Sequence, residues 1–256
     1  MLVDTHVHLD FYDSAEEIKA VVERAAAQNV QVLIAVGYDL NSCKKAVELS
    51  ELFPNVYAVI GIHPHEAKGA NSQVLEEVGL LATNKKIVGI GEIGLDFFRD
   101  YSPRDIQREV FRRQIDLAKE LDLAIVIHAR EAYTEVLEIL DEARAKRVVF
   151  HCFSGGTEMA GECLKRNYLL SIAGPVTFRN ARQLSTIARD VPLDQLLLET
   201  DSPFLAPHPY RGATNEPSYL PYIARAVAEA KNLSVETVIE ATTKNAFTFF
   251  RLRNIV

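Results

Sequence analysis

Gln31-Val32-Leu33-Ile34-Ala35-Val36, closed by Gly37, decides how the rest of the chain is read. The run is too short and too apolar for a surface helix and lacks the alternation of a half-exposed strand. It therefore reads as a strand buried on both faces, as parallel strands are. Upstream, Ser14-Ala15-Glu16-Glu17 has capping-box spacing, and the helix it opens runs to about Asn29 with Ile18, Val21, Val22 and Ala25 on one side. Before it, Met1-Leu2-Val3 leads into Asp4-Thr5-His6-Val7-His8 as a first strand. Downstream the alternation continues. A helix is expected from about Asn41 to Leu52, a strand from Val56 to Ile60, and a helix from about Ser72 to Thr83. A fourth strand, Ile87 to Gly91, ends in Glu92. The next helix takes Ser102 as N-cap and Pro103 as its first residue. Strands Ala124 to Ile127, Arg147 to Phe150, Tyr168 to Ile172 and Gln195 to Leu198 follow, separated by helices. A helix near Ser218 to Ala230 and two further helical stretches complete the chain.

Eight strands alternating with helices predict an α/β fold of the (β/α)8 barrel type, a single domain over residues 1–256. An open doubly wound sheet is the alternative, but its phosphate fingerprint is missing. Gly89-Ile90-Gly91-Glu92-Ile93-Gly94 lacks the second spacer before its last glycine and ends a strand in an acid. The chain has 256 residues, 48% hydrophobic and 25% charged, which permits a sizeable core. No apolar run approaches the ~18 residues of a membrane span, so no membrane association is expected. Val3-Asp4-Thr5-His6 carries no basic region followed by a long apolar segment, which predicts no signal peptide. Cys43, Cys152 and Cys163 form no CxxC pair or disulfide framework, and a reducing cytoplasm is expected. A net charge of −7 argues against a protein that coats duplex DNA and leaves room for a locally basic pocket.

Residues i and i+2 of a strand point the same way, so His6 and His8 can aim two imidazoles at one point. Metal-capable side chains recur at the ends of the other expected strands: His63 and His65, Glu92, His128, His151 and Asp201. Six of the seven histidines lie at these ends, where a barrel builds its active site. A lone strand-end histidine is ordinarily a hydrogen-bonded surface residue, and an acid there ordinarily caps the next helix. Six strand ends carrying metal donors together point to a metal site.

Six blocks resemble the signatures of the TatD family, in order and across essentially the whole chain. They are Asp4 to Asp10, Gly61 to His65, Gly91 to Asp96, Ile127 to Arg130, Phe150 to Gly155, and Glu199 to Phe204. The family comprises amidohydrolase-like metal-dependent hydrolases on the TIM-barrel fold, described as deoxyribonucleases, some with 3′→5′ exonuclease activity. The resemblance implies His6, His8, Glu92 and Asp201 around one divalent ion and Glu92, His128 and His151 around a second, with Glu92 bridging.

Two ions about 3.5–4 Å apart would lower the pKa of a shared water and stabilise the attacking and leaving oxygens at phosphorus. Asp201 is the expected general base and Glu92 the shared carboxylate. His63 is expected to donate to a non-bridging phosphate oxygen, and Arg130 to make a charge-assisted contact to the same group or a salt bridge to Asp96. His65 and His208 are read as loop residues, and Cys152 as packing. Imidazole ligands favour Zn, Mn, Co or Ni over Mg, whereas the family is usually described as Mg-dependent. Around the mouth, Phe97, Phe98, Arg99, Phe153, Phe178, Arg179, Arg182, Phe204, Tyr210 and Arg211 suit the bases and phosphates of single-stranded DNA ends or any aromatic anionic small molecule, with core packing the alternative for several of the phenylalanines, and no obligate protein partner is expected. The alternative substrate is a non-nucleic ester, amide or lactone, or an aminoacyl-tRNA.

Overall fold

The computed structural model describes residues 1–252. In chain order its elements are β1 (Leu2–Val7), α1 (Ala15–Ala27), β2 (Val30–Gly37), α2 (Leu40–Leu52), β3 (Val56–Ile60), α3 (Ser72–Leu81), β4 (Ile87–Asp96) and α4 (Arg104–Glu120). Then come β5 (Ala124–Arg130), α5 (Tyr133–Glu142), β6 (Val148–Phe150), α6 (Thr157–Lys165) and β7 (Leu169–Ile172). The last elements are α7 (Arg182–Asp190), β8 (Leu196–Leu198), α8 (Leu220–Lys231) and α9 (Val235–Phe250). The strands neighbour one another in sequence order in one sheet, the arrangement of an eight-stranded parallel α/β barrel. Contacts divide the chain into two compact units: Met1–Ala35 with the chain from Cys152 onward, and Val36–His151.

In the first unit β1 pairs in parallel with β2, and β7 with β8. The segment after β8 lies parallel to β1: Val7 bridges Ser202, the Asp201 N–H donates to the His6 carbonyl, and the His8 N–H donates to the Ser202 carbonyl. Every residue of β1 is buried, polar Asp4, Thr5 and His6 included. Each of these needs a partner, because an unpaired buried polar group costs about 1–3 kcal/mol. Asp4 accepts from the Thr200 hydroxyl at 2.6 Å and the Thr200 N–H at 2.9 Å, and Thr5 donates to the Leu198 carbonyl at 3.0 Å. Burial pushes the Asp4 carboxyl up to about 7 against the lowering effect of the Thr200 donors. These bonds tie the end of β8 to β1.

In the second unit β3–β4, β4–β5 and β5–β6 are parallel ladders, and all ten residues of β4 are buried. The strand runs on through Glu92 to Asp96 rather than ending at Gly91. Its register against β5 shifts between Ile90 and Ile93, a bulge that re-aims the side chain between them, Glu92. The glycines that resembled a nucleotide loop are explained by crowding. A Cβ on Gly91 would lie 2.6 Å from Val126 Cβ, and one on Gly94 (φ +141°) would lie 2.0 Å from the His128 carbonyl oxygen.

Three local expectations change. Ser14 does cap α1 by accepting the Glu17 N–H, but the Glu17 carboxylate accepts from the Asp13 N–H, so the box is half made. Pro103, not Ser102, is the N-cap of α4. The Ser102 hydroxyl instead accepts from the Lys68 N–H and donates to the His65 carbonyl, fastening the loop that carries His63 and His65. After α8 the described residues hold one C-terminal helix, α9, rather than two; Ser234 caps it by accepting the Thr237 N–H. The three cysteines are free thiols, and no helix among the described residues is long and apolar enough to cross a membrane.

Candidate metal centre

In the first unit β1 carries His6 inside its last turn of strand and His8 just beyond it. His6 Nε2 and His8 Nε2 lie 3.3 Å apart, and Asp201 Oδ1 lies 3.8 Å from the first and 3.6 Å from the second. Asp201 adopts a left-handed backbone conformation (φ 56°) directly after the β8–β1 junction, which turns its carboxylate onto the two imidazoles. The loop it opens is clasped at its far end by Asn215, fully buried, whose amide donates to the carbonyls of Thr200 and Phe204 at 2.8 and 2.6 Å. Phe204 and Phe11, both about half exposed, pack edge to face at 5.2 Å, and each also meets the His8 ring, at 5.9 and 5.8 Å.

In the second unit one carboxylate oxygen gathers three imidazoles. Glu92 Oε1 lies 2.6 Å from His128 Nδ1, 2.7 Å from His151 Nε2 and 3.4 Å from His63 Nε2. Asp96 backs this cluster. Its Oδ2 accepts from His65 Nε2 at 2.8 Å and faces His128 Nε2 at 3.2 Å, while Oδ1 accepts the N–H groups of Phe98 and Arg99. Burial alone would push Glu92 up; the charges of His151 and His63 and hydrogen bonds from His128 and His151 hold it well below the usual carboxylate range. Asp96 is likewise held below that range, its burial outweighed by His128 and His65. His128 is raised, because hydrogen bonds to Asp96 and Glu92 outweigh its burial. Burial pushes His63 down to about 4 against the opposing charge of Glu92.

His63 can be given a tautomer. The His65 N–H donates to its Nδ1 at 3.0 Å, so Nδ1 carries no proton and the neutral ring holds its proton on Nε2, facing Glu92. A ring in that state donates from Nε2 and cannot ligate through it. His128 is arranged the other way: its Nε2–H is held by Asp96, and its Nδ1, which donates to Glu92 here, becomes a bare ligating atom once that proton leaves the ring.

Both clusters fit a divalent ion on donor chemistry. Ligand atoms about 2.0–2.1 Å from a tetrahedral ion stand roughly 3.3 Å from one another. The His6–His8–Asp201 atoms are spread by 3.3–3.8 Å. The Glu92–His128–His151 atoms are spread by 2.6–3.4 Å, closed up where protons bridge them. His63 stands in the same cluster, within 4.8 Å of the Glu92 and His128 ligand atoms, but with its Nδ1 occupied by the His65 N–H.

Among the expected site residues, the structure thus brings His6, His8 and Asp201 together in one unit and His63, Glu92, His128 and His151 in the other. Arg130 is exposed, and its guanidinium lies 3.9 Å over the Phe98 ring rather than on Asp96, whose carboxylate is taken by two histidines. Phe153, expected at the mouth, is 2% exposed and belongs to the core. Cys152 packs only in part: it is half-buried, and its N–H donates to the buried Glu199 carboxylate at 2.6 Å. Sequence reasoning missed three residues. Asp96 repeats the strand-face period from Glu92 through Gly94, a signal that was available; His65, read as a loop residue, is its partner; Phe11 follows His8 by three residues and had no pattern to mark it.

Residues 3–251 match the family profile described as TatD related DNase. The chain is 45% identical over 254 residues to the uncharacterized metal-dependent hydrolase YabD of Bacillus subtilis, covering 98% of this chain and 100% of that one. It is 34% identical to human deoxyribonuclease TATDN3, covering 100% and 97%. Among solved structures, the TatD homologue YjjV of Escherichia coli superposes with a TM-score of 0.93 at 27% identity, covering 98% of each chain. With a match along nearly its full described length and the metal donors of both clusters in place, the chain belongs to the TatD family of metal-dependent hydrolases.

Proposed function

We propose that the chain is a phosphodiesterase that trims single-stranded DNA ends, a 3′→5′ exodeoxyribonuclease, using two divalent ions. His6, His8, Glu92 and Asp201 would hold the first ion and Glu92, His128 and His151 the second. The donor set suits Zn or Mn better than Mg, which prefers oxygen. Bound ions would supply Lewis-acid polarisation of the phosphoryl group and a water acidic enough to be deprotonated near neutrality.

The chain's own residues supply the rest. Asp201, beside His6 and His8, accepts the proton of the attacking water. Glu92, kept ionised by its imidazole neighbours, remains a full negative charge at the centre of the site. His63, neutral with its proton on Nε2, donates to a non-bridging phosphate oxygen without adding a charge that would repel the ions. Arg130, set on the exposed Phe98 ring, reaches for the same phosphate group. Phe11 and Phe204 offer a stacking face for the base next to the scissile bond.

The observation that supports this reading is the single buried Glu92 oxygen that lies within 3.4 Å of three imidazole nitrogens. The test is hydrolysis by the purified, metal-reconstituted protein of single-stranded DNA, a simple phosphodiester, and a panel of esters and lactones. DNA and the phosphodiester should be cut, and Glu92→Ala should abolish cutting while the circular-dichroism spectrum stays native. Undiminished turnover in Glu92→Ala refutes the two-ion site; turnover confined to the ester and lactone panel refutes the nuclease.

A further inference from the structure

Beyond the metal donors, the first unit holds a cavity of about 580 Å³ between α7 and α8, roofed by residues 176–178 and by His208 and Pro209 of the loop that Asp201 opens. That volume lies in the roughly 300–1,000 Å³ range of ligand sites. Helical spacing builds both walls. Ser185, Thr186 and Arg189 recur on one face of α7, and Tyr222, Arg225 and Glu229 on one face of α8.

The walls and the loop beside them have the chemistry of a nucleic-acid groove. Arg225 rests on the Tyr222 ring at 5.7 Å, and Arg211 rests at 4.4 Å on Phe178, which lines the cavity. Neither guanidinium has a carboxylate partner among the ion pairs of the described residues, whereas Arg189 is satisfied by Asp190. Tyr210 stacks on Tyr219 at 4.2 Å with planes 6° apart, and its hydroxyl lies 3.1 Å from that of Tyr222. Glu229 is the one acid among the lining residues. Two uncompensated guanidiniums seated on aromatic rings stand out against a chain of net charge −7. A polyanion with flat rings complements them.

One short loop joins the roof of the groove to the candidate metal centre. The chain passes from Asp201, through Phe204 against His8, to His208 and Pro209 in the roof. We propose that this groove binds the phosphates and bases of a single strand of nucleic acid whose end is held at His8 and Asp201. The inference rests on the nuclease reading and adds to it: the substrate is a strand several nucleotides long, gripped away from the bond that is cut. Arg225 and Arg211 would meet phosphates, and Tyr222 and Phe178 would meet bases.

The test is binding of fluorescein-labelled oligothymidylates of about two to twelve nucleotides, read by anisotropy in EDTA so that the strands stay intact. Affinity should rise with length in the native chain. Arg225→Gln should weaken binding of the longest strand and lower the slope of log K against log salt by about 0.7, one phosphate contact. Tyr222→Ala should weaken it about tenfold, one lost stack. Arg112→Gln, which removes an exposed ion pair between α4 and α5, should bind as the native chain does. Length-independent affinity overturns the proposal, as does an unchanged salt slope in Arg225→Gln or tighter binding of a polyglutamate peptide than of the oligonucleotides. Hydrolysis of the simple phosphodiester by the metal-loaded chain separates the two readings. If it fails while Arg225-dependent strand binding persists, the nuclease reading falls and the groove stands. If it succeeds while length and Arg225 make no difference, the groove falls alone.

Discussion

Replacing Asp96 by Asn changes one charge and no volume, and the structure says which proton it moves. The Asn oxygen can still accept the N–H groups of Phe98 and Arg99, now made to Oδ1 at 3.0 and 2.8 Å. Its NH₂ group then faces His65 Nε2 and His128 Nε2, where a carboxylate oxygen had been. An amide that donates needs a bare ring nitrogen, so the neutral His128 ring must move its proton to Nδ1. That is the atom 2.6 Å from Glu92 Oε1, the one that would ligate. The ring stays in place and loses its function, as when the orienting carboxylate of a serine-protease triad becomes an amide. Loss of a carboxylate behind a metal-binding histidine costs about 10–100-fold in metal affinity, or roughly 1.4–2.8 kcal/mol. Chelator-competition titration of the metal-free protein should show one ion weakened by that factor and the ion at His6, His8 and Asp201 bound as before. Two sites within about threefold of native refute the reasoning, since such a loss is smaller than the change any ligand tautomer should cause.

Two further outcomes follow from the geometry. Gly94→Ala should cost about 3 kcal/mol or more in urea unfolding, because its Cβ meets the His128 carbonyl and its φ of +141° suits only glycine; a loss under about 1 kcal/mol would mean β4 and β5 can separate cheaply. For His63 the folded ring stays neutral down to about 4 while an unfolded histidine takes its proton near 6.5. Protons in that window therefore bind the unfolded chain preferentially, and stability falls as pH drops from about 6.5 to 4. In EDTA, His63→Gln should flatten that part of the stability profile; an equally steep fall in the variant would show that the slope arises elsewhere.

The barrel was legible because its strands are short apolar runs with clear ends. Val56 to Ile60 was read to the residue, between Pro54-Asn55 and Gly61. β4 was cut short for an equally physical reason. Gly89 and Gly91 look like the end of a strand, since glycine weakens one, yet here they let neighbouring side chains approach. His6, His8, Glu92, His128, His151 and Asp201 were legible by type and place, because few other roles put a donor at each strand end. Asp96 was not, since a carboxylate beside Arg130 in the next ladder position invites an ion pair. Which partner it takes depends on Gly94 standing opposite His128 and leaving that ring room. Ser102 was misread because a serine before proline has the same pattern whether it caps a helix or fastens a loop.

Asn215 has a consequence for how such a protein can diversify. Its single amide closes the segment that begins at Thr200 and Phe204, so the ends of the loop are set whatever lies between them. Residues inserted or exchanged from His208 to Ala213, all exposed, would lengthen or recolour the rim without shifting Asp201, and loop tips are where chains accept such change. Substrate range and bond-cutting chemistry can then vary independently, the first written in the tip of the loop and the second anchored at its root.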